Sequence, residues 1–146
     1  MKINFFVVAK LLSATTGLLF SGYLAFALAI IAILLKGWQV FEFWIFIVIT
    51  LLLCFIHHYI SFRVKFDAQL IEILAYEAKT ESIENLTQQF DQSLLSLKLM
   101  PESKLGRDWS LRFAGCFKLL KIQIALLVLQ YFVLIILIFK LTSSNY

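Results

Sequence analysis

The side chains best suited to chemistry crowd into one stretch, where Cys54, His57 and His58 stand together near the end of an uncharged run. On a helix Cys54 and His58 share a face. A thiolate with an imidazole is a ligand set for a transition metal, and imidazole alone can be an axial ligand of haem. A haem held within one chain needs ligands on facing helices, and the other two long apolar runs contain no His. His57 and His58, the metal candidates of the chain, are therefore read as interfacial residues bonded to neighbours or headgroups, with metal binding only through ligands supplied by a partner. No cofactor is expected.

Gln123 and Gln130 are seven residues apart and share a face of the last apolar run, with Ser21 and Thr50 expected at a similar depth. Polar side chains among apolar helices form interhelical hydrogen bonds worth roughly 0.6–2 kcal/mol each. This role as glue is expected over a lining for a polar substrate or ion, because no run has an ionisable residue at its middle. Ser13, Gly17, Ser21, Ala25 and Ala29 recur every four residues, a small-residue ridge of the kind that lets helix backbones approach closely. Cys54 and Cys116 are expected as free thiols on the reducing side, with Cys116 a candidate for palmitoylation. Arg63 and Asp67, four apart, form a surface pair that contributes little. A phosphate-binding loop, a nucleophile elbow and a zinc-protease helix are all missing from the sequence, so no enzyme is expected.

The elements that must position these residues follow from composition. The 146 residues are 62% hydrophobic and 15% charged with a net charge of +4, too apolar for a water-soluble or a disordered chain. The predicted fold class is an all-α integral membrane protein with three transmembrane helices. The first span is expected at about residues 11–35, an uncharged run between Lys10 and Lys36; the second at 43–62, ending at Arg63; and the third at 122–139, between Lys121 and Lys140. The first run continues past its alanine pairs for longer than a signal sequence does and is read as an uncleaved anchor. Spans one and two form a hairpin across the short turn Lys36 to Glu42, with Trp38, Phe41, Phe43 and Trp44 as an interfacial aromatic belt.

Lys2, Lys10, Arg63, Lys65, Arg107, Arg112, Lys118 and Lys121 border one side of these spans and only Lys36 and Lys140 the other. The positive-inside bias then places the amino terminus and central segment in the cytoplasm and the Ser143 to Tyr146 tail outside. Residue usage suggests a bacterial inner membrane. The expected organisation is 1–62 as the amino-terminal segment and membrane hairpin, 63–108 as a cytoplasmic helical segment, and 109–146 as an amphipathic lead-in, third span and short tail.

Within the central segment, Phe62, Phe66, Leu70, Ile73 and Leu74 and then Ile83, Leu86, Phe90, Leu94 and Leu97 recur at helical spacing. They predict two amphipathic helices separated by Lys79 to Ser82, with Thr80 or Ser82 as N-cap. The first continues span two without Gly or Pro, as a stalk. The second ends at Met100-Pro101, and Asp108 can cap a helix that starts at Trp109 and enters span three. Asn85-Leu86-Thr87 matches a glycosylation acceptor but falls on this cytoplasmic segment. Phe66, Leu70, Leu74, Phe90 and Leu97 are candidates to face a partner or the chain's own fold. Arg107, Arg112, Lys118 and Lys121 are candidates to meet anionic headgroups, each contributing about 1 kcal/mol.

The functional expectation is a small non-enzymatic inner-membrane subunit or adaptor, docked by helix packing to a larger assembly in transport, secretion or envelope maintenance. Its partners would be membrane lipid and an integral membrane complex or a second copy, and no nucleic acid. The alternatives are a holin-like pore or an immunity protein against a pore-forming toxin, and then a haem or metal anchor subunit.

Overall fold

Long uncharged runs rich in Leu, Ile, Phe and Ala favour uninterrupted helix, and the computed structural model is helical throughout its ordered elements: α1 (Lys2–Ser13), α2 (Thr16–Lys36), α3 (Phe41–Glu77), α4 (Ile83–Ser96), a 3₁₀ turn (Glu102–Lys104) and α5 (Trp109–Ser143). It describes residues 2–36 and 38–143, with backbone alone at Lys2, and the expected external tail past Ser143 lies outside the described residues. Three helical stretches, Ile3–Lys36, Phe41–Glu77 and Trp109–Ser143, are long and apolar enough to cross a membrane.

The first helix expected at 11–35 is not unbroken: the chain turns at Ala14 and Thr15, between α1 and α2. The tract Ser13-Ala14-Thr15-Thr16-Gly17 explains this, because hydroxylated side chains compete for backbone groups and Gly weakens a helix. Ser13 Oγ donates to the Lys10 carbonyl at 2.9 Å, and the Thr15 carbonyl accepts from Leu18 N–H at 3.0 Å, opening the next helix.

The chain also packs in a grouping that is not consecutive along the sequence. Residues 1–14 group with 64–118 as one compact unit, and 15–63 with 119–146 as a second. The reason lies in α1: Phe5, Val8, Ala9 and Leu12 form an apolar stripe, all buried, and a single short helix cannot cover such a stripe in water.

Burial along the long helices has a period of seven. On α3, Phe43, Thr50, His57, Val64 and Ile71 are buried at every seventh position, with Ala78 continuing the row just past its end and Ser61, Ala68 and Ala75 in the row between. On α5, Gln123, Gln130 and Leu137 do the same, with Leu134 and Leu141 between them. A spacing averaging 3.5 residues is the signature of knobs-into-holes packing between helices. In the second unit α2 joins through Gly22, Ala25, Ala29 and Ile33, and the core is Ala25, Ala29, Ile33, Phe43, Leu134, Leu137 and Leu141.

In the first unit, Phe5 stands edge-on to Trp109 and Phe113 at ring separations of 4.7 and 5.5 Å. Helix α4 starts at Ser82, whose hydroxyl accepts from Asn85 N–H at 3.3 Å. It ends in a Schellman motif, with Leu99 N–H on the Leu94 carbonyl and Lys98 N–H on Leu95, both at 2.9 Å. Lys98 takes the left-handed position of that motif at φ 56°, where glycine is the usual residue.

Candidate functional site

In the second unit several polar side chains point inward while many large apolar ones point out. His57 and Gln123 are 1% and 0% exposed, and Gln130, Ser61 and Thr50 are also buried, whereas Phe20, Phe55, Phe132 and Phe139 are each more than half exposed. Heptad core positions on α3 and α5 therefore carry hydrogen-bonding groups among apolar neighbours. With Gln130 Oε1 as acceptor, His57 Nδ1–H donates to it across the helices at 2.9 Å. One turn along α3, Ser61 Oγ accepts from Gln123 Nε2 at 2.9 Å, and Gln123 Nε2 also reaches the Thr15 carbonyl at 3.4 Å. Ser21 Oγ and Tyr131 Oη lie 2.8 Å apart.

Gly22 makes the His57 contact possible. A Cβ at that position would stand 2.5 Å from His57 Nδ1, 2.7 Å from its Cε1 and 2.9 Å from Gln130 Oε1. Only hydrogen lets the α2 backbone come this close to the imidazole.

The adjacent histidines thus part company. His57, expected at an interface, is enclosed. His58, one residue on and therefore rotated to another face, is exposed and bonded through Nδ1 to Tyr23 Oη. Beside it, Tyr23, Leu51, Cys54, Phe55 and His58 line an open apolar groove of about 220 Å³. Among the described residues no group of three or more His, Cys, Asp or Glu could hold a metal ion. Cys116 Sγ lies 3.8 Å from Asp67 Oδ2.

The small-residue ridge is split by the turn at Ala14 and Thr15. Ala25 and Ala29 are buried in the chain's own core and Ser21 meets Tyr131, but Ser13 and Gly17 are exposed. A Cβ on Gly17 would meet nothing within 4 Å. Thr50 bonds to backbone of its own helix, at the Phe46 and Ile47 carbonyls. It does not bridge helices.

The stripe offered as partner-facing is largely used inside the first unit. Leu74 is buried, Phe66 and Leu70 are half-buried, and Phe90 packs on Trp109 at 5.9 Å. Leu97 remains 67% exposed.

Of the residues proposed for headgroups, Lys118, Lys121 and Arg107 are exposed, but Arg112 is engaged elsewhere. Its two terminal nitrogens donate to Asp91 Oδ1 at 2.7 Å and Oδ2 at 2.9 Å, and its Nε donates to the Arg107 carbonyl at 3.0 Å. Gly106 N–H adds a third bond to Asp91 at 2.9 Å, from a left-handed backbone at φ 66°. Burial pushes the Asp91 carboxyl up, but the hydrogen bonds from Arg112 and Gly106 and the guanidinium charge outweigh it and hold the group below its ordinary value.

Asp91, Gly22 and Tyr131 had not been singled out from the sequence. The seven-residue recurrence through Thr50 and His57 was the one available signal for the interior positions. Nothing along the chain links Asp91 to an arginine 21 residues away.

With this geometry in hand, the chain was compared with protein-family models, curated proteins and solved structures. It matches none of them.

Proposed function

We propose that the chain is a three-span membrane protein of the bacterial inner membrane that serves, without catalysis of its own, as an accessory subunit of a larger membrane assembly. The observation that supports this reading is the use made of the polar side chains. His57, Ser61, Gln123, Gln130, Ser21 and Tyr131 are bonded to one another across helices, as interhelical fasteners and not as the lining of an open passage. The outward apolar surface of the same helices suits lipid. At ~1.5 Å per residue, the 21 residues of α2 extend about 31 Å, near the ~30 Å of a hydrocarbon core.

Orientation follows the basic residues. Of thirteen Lys and Arg, only Lys36 and Lys140 sit at the end of the spans that carries Glu42, and Lys140 lies 3.7 Å from Glu42. The positive-inside rule then puts the first unit in the cytoplasm. What the chain leaves exposed for a partner is Gly17, where a Cβ would meet nothing within 4 Å, and the tip at Leu97 and Leu99.

The test is photo-crosslinking in living cells, with a photoreactive amino acid placed at Gly17, Leu97 or, as control, Phe132. One discrete protein trapped from Gly17 or Leu97 and not from Phe132 supports the subunit reading. A ladder of self-adducts supports a self-assembling pore, and adducts with lipid alone at all three positions refute docking.

A further inference from the structure

Three polar atoms in the second unit have no hydrogen-bond partner among the described residues and are wholly buried: His57 Nε2, Gln123 Oε1 and Gln130 Nε2. They belong to the residues that join α2, α3 and α5. The orientation of Gln123 is set by the Thr15 carbonyl, which can only accept, so its amide nitrogen faces Thr15 and its oxygen is left spare. His57 donates from Nδ1 to Gln130 Oε1, which makes Nε2 a bare acceptor and leaves the Gln130 amide as a spare donor. Two acceptors and one donor therefore stand enclosed among apolar side chains.

We propose that these interior positions hold water, which donates to His57 Nε2 and to Gln123 Oε1 and accepts from Gln130 Nε2. The donor set favours water over a metal ion, since one imidazole is accompanied by amides with no thiolate or carboxylate. Buried water typically makes about three such bonds to groups that would otherwise have none.

This inference does not depend on the accessory-subunit reading, because the site lies within one chain. The experiment is water-edited solid-state NMR on the full ¹⁵N-labelled chain in phosphatidylcholine vesicles, with water as the probe and a His58→Gln variant assigning the imidazole signals. The His57 ring nitrogens are expected to gain polarisation from water several-fold faster than the amides of Ile33 and Leu137. Build-up at His57 as slow as at Leu137 overturns the site. The side-chain amides of Gln123 and Gln130 are expected to gain polarisation as His57 does, and build-up there as slow as at Leu137 would overturn water at those residues. The same spectra in detergent micelles read the site if the chain does not enter vesicles.

Discussion

Replacing Gly22 by Ala adds one methyl group at the closest approach between helices in the second unit. That methyl would lie 2.5 Å and 2.7 Å from the His57 ring and 2.9 Å from Gln130 Oε1, distances that require the imidazole to move. Overpacking of this kind costs about 1–3 kcal/mol, and loss of the His57–Gln130 bond adds about 0.6 kcal/mol. Ala is intrinsically the better helix former by about 1 kcal/mol, so the expected net loss is about 0.6–2.6 kcal/mol. Gly115 is the internal control: it lies within α5, its Cβ would meet nothing within 4 Å, and Gly115→Ala should stabilise by up to about 1 kcal/mol. The assay is reversible unfolding of the purified protein in mixed micelles, followed by far-UV circular dichroism as denaturing detergent is raised. The two substitutions should move the midpoint in opposite directions. Equal stabilisation by both would show that Gly22 does not press on His57 and would refute the packing described above.

Asp91→Asn should destabilise the first unit by about 2–3 kcal/mol, somewhat below the cost of breaking a fully buried ion pair, because the Arg112 side chain keeps 13% of its exposure. The folded Asp91 carboxyl titrates below its ordinary value of 3.8, so its contribution is present above that value and is lost as pH falls through the lower folded one. The gap in melting temperature between wild type and Asp91→Asn should therefore close on acidification below about pH 4, and a gap that persists or widens would contradict the pairing. Lys98→Gly relieves a left-handed backbone at φ 56° and should stabilise by about 1 kcal/mol, measured by thermal melting; no gain would mean Lys98 is not strained. Reporter fusions after Ser96 should be active in the cytoplasm and fusions after Thr142 outside it, and the reverse pattern would overturn the charge argument.

The number and approximate place of the long apolar helices were legible in the sequence because uncharged runs bounded by Lys and Arg need no tertiary information. So was the uninterrupted α3, whose course from Phe43 to Ala78 holds no Gly or Pro. The break at Ala14 and Thr15 was missed because counting charges ignores the poor helix propensity of a Ser-Ala-Thr-Thr-Gly tract. His57 and His58 could not be told apart by type or neighbourhood; the 100° rotation between consecutive helical residues decides that one is enclosed and the other exposed. Arg112 had been assigned to headgroups from its local surroundings, but Asp91 comes from a different helix, and only the fold brings them together. Gln123 and Gln130 stand out in the sequence as polar positions in an apolar run, whereas Ser61 and His57, the residues they bond to, cannot be matched to them without the fold.

The central claim is that α2, α3 and α5 form a bundle in lipid with apolar residues outward and the Gln130 row inward. Nitroxide spin labels placed singly from residue 127 to 141 of α5, in vesicles, test it directly by comparing relaxation by oxygen, which partitions into lipid, with relaxation by a water-soluble nickel chelate. The account predicts high oxygen accessibility at Val128, Phe132, Ile135 and Phe139, low values at Gln130, Leu134 and Leu137, and no relaxation by the chelate along the stretch. Chelate accessibility at Gln130 and Leu137 would show a water-filled passage on that face and contradict the closed bundle.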